Sequence, residues 1–226
     1  MRRNAGQSLP LGRVKKFPER YPLGPEHRAT SIYRIFSELA GECSSMKPSR
    51  LVMPTPAIIK WAHAFSGRTL LEKAKAIGDY ISAMPLKKIT LAKLKSLYAK
   101  RPAEKILASG VIYLGPELHE VPESVRGRFG VFPHIGGCVD DAHLAIAGLR
   151  ALGLPAAFLR FEDHSFAVFP FKGEIYCIDP NEARMWKRKI PVLRKLTSHD
   201  FSRILSGNYR LGRDAKGIGL SFDNFF

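Results

Sequence analysis

Apolar positions recur along this chain with two different periods, and the switch between them divides it in two. Up to about residue 110 the recurrence is helical. Residues 31–42 place Ile32, Phe36 and Leu39 on one face, and Pro/Ser-rich residues 43–56 then read as a loop. A short helix is predicted over 57–65, stopping at Gly67. Another opens at Thr69, where Thr69 and Glu72 have the spacing at which each side chain satisfies an orphan amide of the first turn. Its apolar stripe is Leu70, Ala74, Ile77 and Ile81, running to about Met84. Residues 90–100 set Leu91, Leu94 and Tyr98 on one face, with Lys93, Lys95 and Lys100 around it, the pattern of a core-packed helix with a solvated basic back.

From residue 111 the pattern changes. Val111 to Leu114 is a short apolar run, followed by a Pro/Gly-rich loop that ends in Gly136-Gly137-Cys138. Residues 138–152 form the clearest helix, with Ala142, Ala145, Ile146, Leu149 and Leu152 on its buried face, Asp140 and Asp141 in its first turn, and Gly153 and Pro155 just past its end. Three strand-like runs follow at 157–161, 164–171 and 174–179, and Asp179-Pro180-Asn181 breaks the last. Lys172-Gly173 reads as a two-residue hairpin turn. That turn sets Phe171 opposite Glu174 and therefore Phe166 opposite Asp179. His164, two residues before Phe166, then shares a sheet face with Asp179, a diagonal pair about 7–8 Å apart at the backbone. A turn one residue longer would reverse the parity and separate them.

This arrangement offers chemistry. Cys138 stands at the start of a buried helix, where the partial positive charge favours a thiolate and free amides can meet a developing oxyanion. Asp140 and Asp141 work against that thiolate, so an imidazolium partner has to outweigh them. If the hairpin face packs against the helix start, His164 can take and return the proton while Asp179 orients its ring. Singly, each residue has a plainer role: a small buried cysteine, a polar strand end, a strand terminator. Their joint order and geometry carry the catalytic reading.

The segment 136–180 resembles the transglutaminase-like superfamily. Gly137-Cys138-Val139-Asp140-Asp141-Ala142 and Leu149-Arg150-Ala151-Leu152-Gly153-Leu154-Pro155-Ala156 are similar to its nucleophile helix, His164-Ser165-Phe166-Ala167-Val168 to its histidine strand, and Ile178-Asp179-Pro180 to its Asp-Pro. Ala157 stands near the place where that family often has Arg, and Tyr176 lies near the place of its usual Trp. The resemblance implies an α+β, papain-like core in which a helical N-terminal half precedes a nucleophile helix packed on an antiparallel sheet. It also implies a Cys138–His164–Asp179 triad and chemistry that needs no metal or organic cofactor. Members of the superfamily cross-link proteins, cleave peptides or isopeptides, or deglycosylate glycoproteins. The expected function is thus a cysteine hydrolase or acyltransferase acting on amide bonds of a protein or peptide substrate.

Composition adds one alternative. The 226 residues are 45% hydrophobic, enough for a core, and carry a net charge of +16. The excess lies in residues 1–110, with 21 Lys/Arg against 7 Asp/Glu, leaving 15 against 13 in the remainder. A diffuse positive face and a surface that attracts a polyanion both fit, so a basic polyanion-binding module on an inert scaffold stands as the second reading. Residues 1–29, with four prolines and no helical period, are expected to be a poorly ordered basic lead. Residues 30–110 are expected to be a basic helical part and 111–226 the catalytic core, with 30–226 one domain. No run approaches the roughly 18 apolar residues of a membrane span, and no apolar segment follows the basic start. Cys43, Cys138 and Cys177 contain no C-x-x-C, which argues against a disulfide scaffold or zinc ribbon and makes a reducing cytoplasm the default location.

Lesser candidates are Tyr113, His119 and His134 as helpers for an oxyanion, and a metal set of Cys138, His143 and His164, which has no recognisable ligand spacing. Cys177 shares parity with Asp179 and reads as core. Trp186-Lys187-Arg188-Lys189 is a basic aromatic cluster, read as a solvated face, and residues 201–226 are expected to add edge strands.

Overall fold

Three threonines each open a helix. Thr55, Thr69 and Thr90 adopt extended backbone and accept, through their side chains, an amide of the following first turn. They start α1 (Pro56–His63), α2 (Leu70–Ala83) and α3 (Leu91–Leu97). At Thr69 the capping box is complete, with Glu72 Oε2 accepting the Thr69 N–H at 2.8 Å. Ala74, Ile77 and Ile81 are buried as the stripe predicts, whereas Leu70 is exposed because it lies at the helix end beyond the packed face. In α3, Leu94 is buried and Lys93 and Lys95 are exposed, as expected of a basic amphipathic helix. The fold is that of a computed structural model, which describes residues 49–65, 69–120, 137–161, 164–185, 189–206 and 209–216. The helix expected at 31–42, the 1–29 lead, Cys43, His134, residues 186–188 and residues 217–226 lie outside the described residues.

Two features went beyond the hydrophobic pattern, which showed only the short apolar run Val111 to Leu114. One is α4 (Ala103–Ser109), which ends on Gly110 in the left-handed region. The other is a parallel pairing of β1 (Leu86–Lys88) with β2 (Ile112–Leu114), bridged by α3 and α4.

The centre of the molecule is α5 (Cys138–Ala151), in which every residue from Cys138 to Leu149 is buried. It packs against α1, α2 and α4 and against β4 of the main sheet. Gly148 permits this closeness, because a Cβ there would lie 2.8 Å from Trp61 and 3.1 Å from Ile77.

The main sheet is antiparallel, in the order β6-β5-β4-β3-β7. Its strands are β3 (Ala157–Phe161), β4 (His164–Phe171), β5 (Glu174–Ile178), β6 (Leu193–Lys195) and β7 (Tyr209–Gly212). Lys172 and Gly173 both have positive φ, which suits a two-residue turn to the right-handed twist of the flanking strands. The hairpin register is the expected one, from Phe171 opposite Glu174 to Ala167 opposite Ile178. The edge strand expected from the C-terminal stretch is β7, paired with β3.

The sheet separates two cores. Ala167, Phe169 and Ile178 face α5 and the helical half. Phe166, Val168, Ile175 and Cys177 face a smaller core with Phe201 and Ile204 of α7 (Ser198–Ser206). Between β5 and β6 lies α6 (Pro180–Met185), packed on α2. Among the described residues, no helix is long and apolar enough to cross a membrane.

Candidate active site

Asp179 leaves the sheet one residue after β5, and the Asp-Pro that reads as a strand breaker is a helix cap. Its Oδ1 accepts the Glu182 N–H at 2.9 Å, which caps the first turn of α6 with Pro180 in the position that needs no amide donor. The Asp179 N–H donates to Val192 O at 2.9 Å, so its backbone is held as well. This leaves Oδ2, which lies 2.6 Å from Nε2 of His164, the first residue of β4. The Asp179 side chain is 2% exposed and that of His164 12%.

Burial lowers the basicity of His164, but the Asp179 carboxylate more than offsets it. Hydrogen bonding and charge from Cys138 act in the same direction, and the imidazole pKa ends well above its usual 6.5. Burial likewise raises the Asp179 pKa, but the His164 charge and hydrogen bond bring it below the usual carboxylate value.

Cys138 therefore interacts with the ring that Asp179 holds. It is the first residue of α5 and 6% exposed. Gly137 before it has φ 89°, a conformation that favours glycine, and a Cβ there would press on the end of the Leu114 side chain at 2.8 Å. The three sequence-derived residues are thus gathered, with one correction. By strand alternation His164 and Asp179 belong to the face of the smaller core, while α5 packs on the opposite face. They meet Cys138 at the strand ends, and the hairpin face itself does not pack against the helix start.

The two carboxylates of the first turn, expected to oppose a thiolate, are each answered by an arginine. Arg101 pairs with Asp140 and also donates to Ser109 Oγ at 2.8 Å and Val111 O at 3.3 Å. Its guanidinium lies 4.0 Å above the Tyr113 ring. Arg184 binds Asp141 with two N–H groups, at 3.1 and 3.4 Å, and donates to the Ile81 and Ser82 carbonyls at the end of α2. Burial pushes Asp140 up to about 6 against the pull of Arg101, and raises Asp141 against that of Arg184. Both arginines escape sequence reasoning because they come from distant segments with no shared periodicity.

Tyr98 and Arg160 were missed for a similar reason. Tyr98 reads as one more apolar position of its helix, yet its buried phenol is hydrogen-bonded by Arg160 and lies within reach of the charges of Cys138 and Asp140. The available signal is that a buried tyrosine hydroxyl needs a partner. A small cavity beside the first turn of α5 is lined by Tyr98, Arg101, Tyr113, Gly137, Val139 and Asp140.

Of the remaining candidates, Tyr113 lines that same cavity beneath the Arg101 guanidinium, and His119 is exposed beside Glu117 at 3.4 Å. His143 is fully buried, with Nδ1 3.3 Å from Arg101 O and Nε2 3.4 Å from Ala215 N. A carbonyl on one side and an N–H on the other require the neutral ring protonated at Nδ1. Burial accordingly lowers the His143 pKa to about 4, with Asp214 opposing. Among the described residues, no group of three or more His, Cys, Asp or Glu is placed to hold a metal ion. Cys177 sits fully buried in the smaller core, where burial pushes its thiol up to about 12.

No protein-family model matches the chain, and no curated protein matches it. Among solved structures, it is similar to a protein from Cytophaga hutchinsonii whose assignment as a cysteine protease is provisional. The TM-score is 0.47 at 19% identity, over 81% of this chain and 50% of the other, so this chain spans about half the length of that structure. The reading of the site rests on its own geometry.

Proposed function

We propose that this protein is a transglutaminase-like cysteine hydrolase or acyltransferase that attacks amide bonds of a protein or peptide through Cys138, His164 and Asp179. The observation that supports this most directly is the 2.6 Å contact between His164 Nε2 and Asp179 Oδ2 on a ring that also interacts with Cys138. In this reading Nδ1, the nitrogen not engaged by Asp179, exchanges the proton with the Cys138 sulfur. The thiolate adds to the carbonyl carbon, and the carbonyl π pair moves to oxygen. Collapse of the intermediate breaks the C–N bond, and the amine leaves with the proton from His164. Water, or a second amine, then takes the acyl group from sulfur. Asp179 holds the ring and stabilises its charged form throughout. The paired Arg101 and Arg184 support the reading, because they offset the carboxylates nearest the nucleophile.

The test is cysteine mapping of the folded protein with iodoacetamide, followed by turnover of a denatured protein substrate. The expected result is carboxamidomethyl on Cys138 with Cys177 untouched, and loss of amide cleavage or amine incorporation in Cys138→Ala. A Cys138 that resists the reagent while Cys43 or Cys177 reacts would overturn the proposal.

A further inference from the structure

Cys138 and His164 interact, yet they start two elements that no short segment joins, α5 and β4. By strand alternation His164 belongs to the sheet face opposite to the one on which α5 packs. A thiol and an imidazole act together only at hydrogen-bond distance, and misplacement by about 1 Å can cost a reacting pair much of its effect. A third element has to set the separation.

The short helix α6 touches both sides. At its start, Asp179 Oδ1 accepts the Glu182 N–H at 2.9 Å and the Asp179 carbonyl accepts the Ala183 N–H at 3.2 Å. The other carboxylate oxygen of Asp179 lies 2.6 Å from His164 Nε2. Near its end, Arg184 reaches across to α5. Nη1 donates to Asp141 Oδ2 at 3.1 Å and Nη2 to Asp141 Oδ1 at 3.4 Å. Asp141 closes the turn that bears Cys138, because its own N–H donates to Gly137 O at 2.9 Å. The same guanidinium donates from Nε to Ser82 O at 3.2 Å and from Nη2 to Ile81 O at 2.9 Å. Those carbonyls end α2, a helix with no basic residue in its own last turn. A planar fork of donors can serve a carboxylate and two carbonyls at once, which a single ammonium does not. The buried Asp141 carboxylate also feels the charges of Asp179 and His164, so the grip at one end of α6 lies within electrostatic reach of the grip at the other.

Resting on the proposed role of Cys138, we infer that α6 is the spacer of the site and that Arg184 is a positioning residue, which acts through Asp141 to hold the Cys138 sulfur against the imidazole that Asp179 holds from the other end. Arg184 exchanges no proton in the reaction. What it sets is how readily the sulfur gives its proton to His164, because a thiol held beside an imidazole ionises at lower pH than an isolated one. Loss of the grip would leave a folded protein whose cysteine behaves more nearly as a free thiol.

The test compares the full-length wild type with the double variant Arg184→Met, Asp141→Asn. That variant removes the grip but leaves the summed charge of the pair at zero, so a change at Cys138 cannot come from an unanswered carboxylate. The rate of Cys138 alkylation by iodoacetamide is followed by mass spectrometry at about pH 6, where a thiol needs a partner to ionise, and at about pH 9, where an isolated thiol ionises unaided. Labelling of the fully buried Cys177 reports unfolding. The double variant is expected to react about 10-fold or more slowly at about pH 6 and within about two-fold of wild type at about pH 9, with Cys177 unlabelled. If the two proteins react alike at both pH values, the ion pair serves the fold alone and the inference is overturned, while the nucleophile reading stands. Equal slowing at both values would mean lost access for the reagent, which overturns it as well. If wild-type Cys138 does not react at either, the nucleophile reading fails and this one with it. Should the double variant label at Cys177, Arg184→Lys takes its place, since it keeps the charge without holding Asp141 and both carbonyls together, and the same pair of rates is expected.

Discussion

Nε2 of His164 stands 2.6 Å from Oδ2 of Asp179, because the two residues, 15 apart in sequence, flank the open end of one hairpin. Asp179 uses its two oxygens for two tasks, a cap on α6 and a hold on the imidazole. The tasks separate in Asp179→Asn. Asparagine caps a helix about as well as aspartate, so α6 should persist. The charge on His164 loses its partner, and Cys138 alkylation at neutral pH is expected to slow by about 10-fold or more. The stability effect has a sign. Because the folded His164 pKa is raised, its contribution is complete below about 6.5 and is lost as pH rises through the folded value. Because the folded Asp179 pKa is lowered, its contribution is lost as pH falls through that value. Urea unfolding should therefore show the largest gap between wild type and Asp179→Asn near about pH 6, narrowing at strongly alkaline pH. A gap independent of pH would contradict the ion pair.

Arg184 and Asp141 tie α5 to α2 and α6. The Asp141 side chain is 1% exposed, so removal of its partner leaves a buried charge. Arg184→Met is expected to cost about 3–5 kcal/mol, and adding Asp141→Asn should recover much of it, because the double variant has no lone charge. Denaturant unfolding of the two single variants and the double variant completes the cycle. Additive losses would mean that the two residues act independently.

His143 predicts an acid sensitivity of the fold itself. Its folded pKa of about 4 lies below the unfolded value, so the unfolded chain binds the extra proton first and stability falls with pH in that interval. The advantage of wild type over His143→Gln should shrink by about 2 kcal/mol between about pH 7 and pH 5. Asp140 contributes in the opposite sense, since its pKa of about 6 favours proton uptake by the folded state, and comparison of the two proteins cancels that term. A constant difference across the interval would mean that the ring is not held neutral.

Gly148 tests the close packing of α5. Alanine is the better helix former by up to about 1 kcal/mol, yet its Cβ would enter the space of Trp61 and Ile77. Gly148→Ala is expected to lower stability by about 1–3 kcal/mol, because a central helix packed on both sides has nowhere to move. A raised melting temperature would show that Trp61 can give way.

Much of this structure was legible in the residues themselves. The Thr69–Glu72 cap, the stripe of α5 and the Lys172-Gly173 turn are each set by contacts within a few positions, and the turn alone fixes which residues of β4 and β5 are level. From that parity the pairing of His164 with Asp179 followed. The sequence did not disclose that α5 lies on the other face of the sheet, so that Cys138 meets the pair at the strand ends. Nor did it disclose the partners of the buried charges. Arg101 finds Asp140 across 39 positions and Arg184 finds Asp141 across 43, while Tyr98 finds Arg160. α4 and the β1–β2 pairing were hidden in the same way, since a three-residue parallel pair has no pattern of its own. The reason is physical. Caps, stripes and tight turns are decided by sterics and hydrogen bonds between near neighbours, which sequence spacing encodes. Which charge answers which is decided only once packing has excluded water, because only then does a missing partner cost enough to select the arrangement.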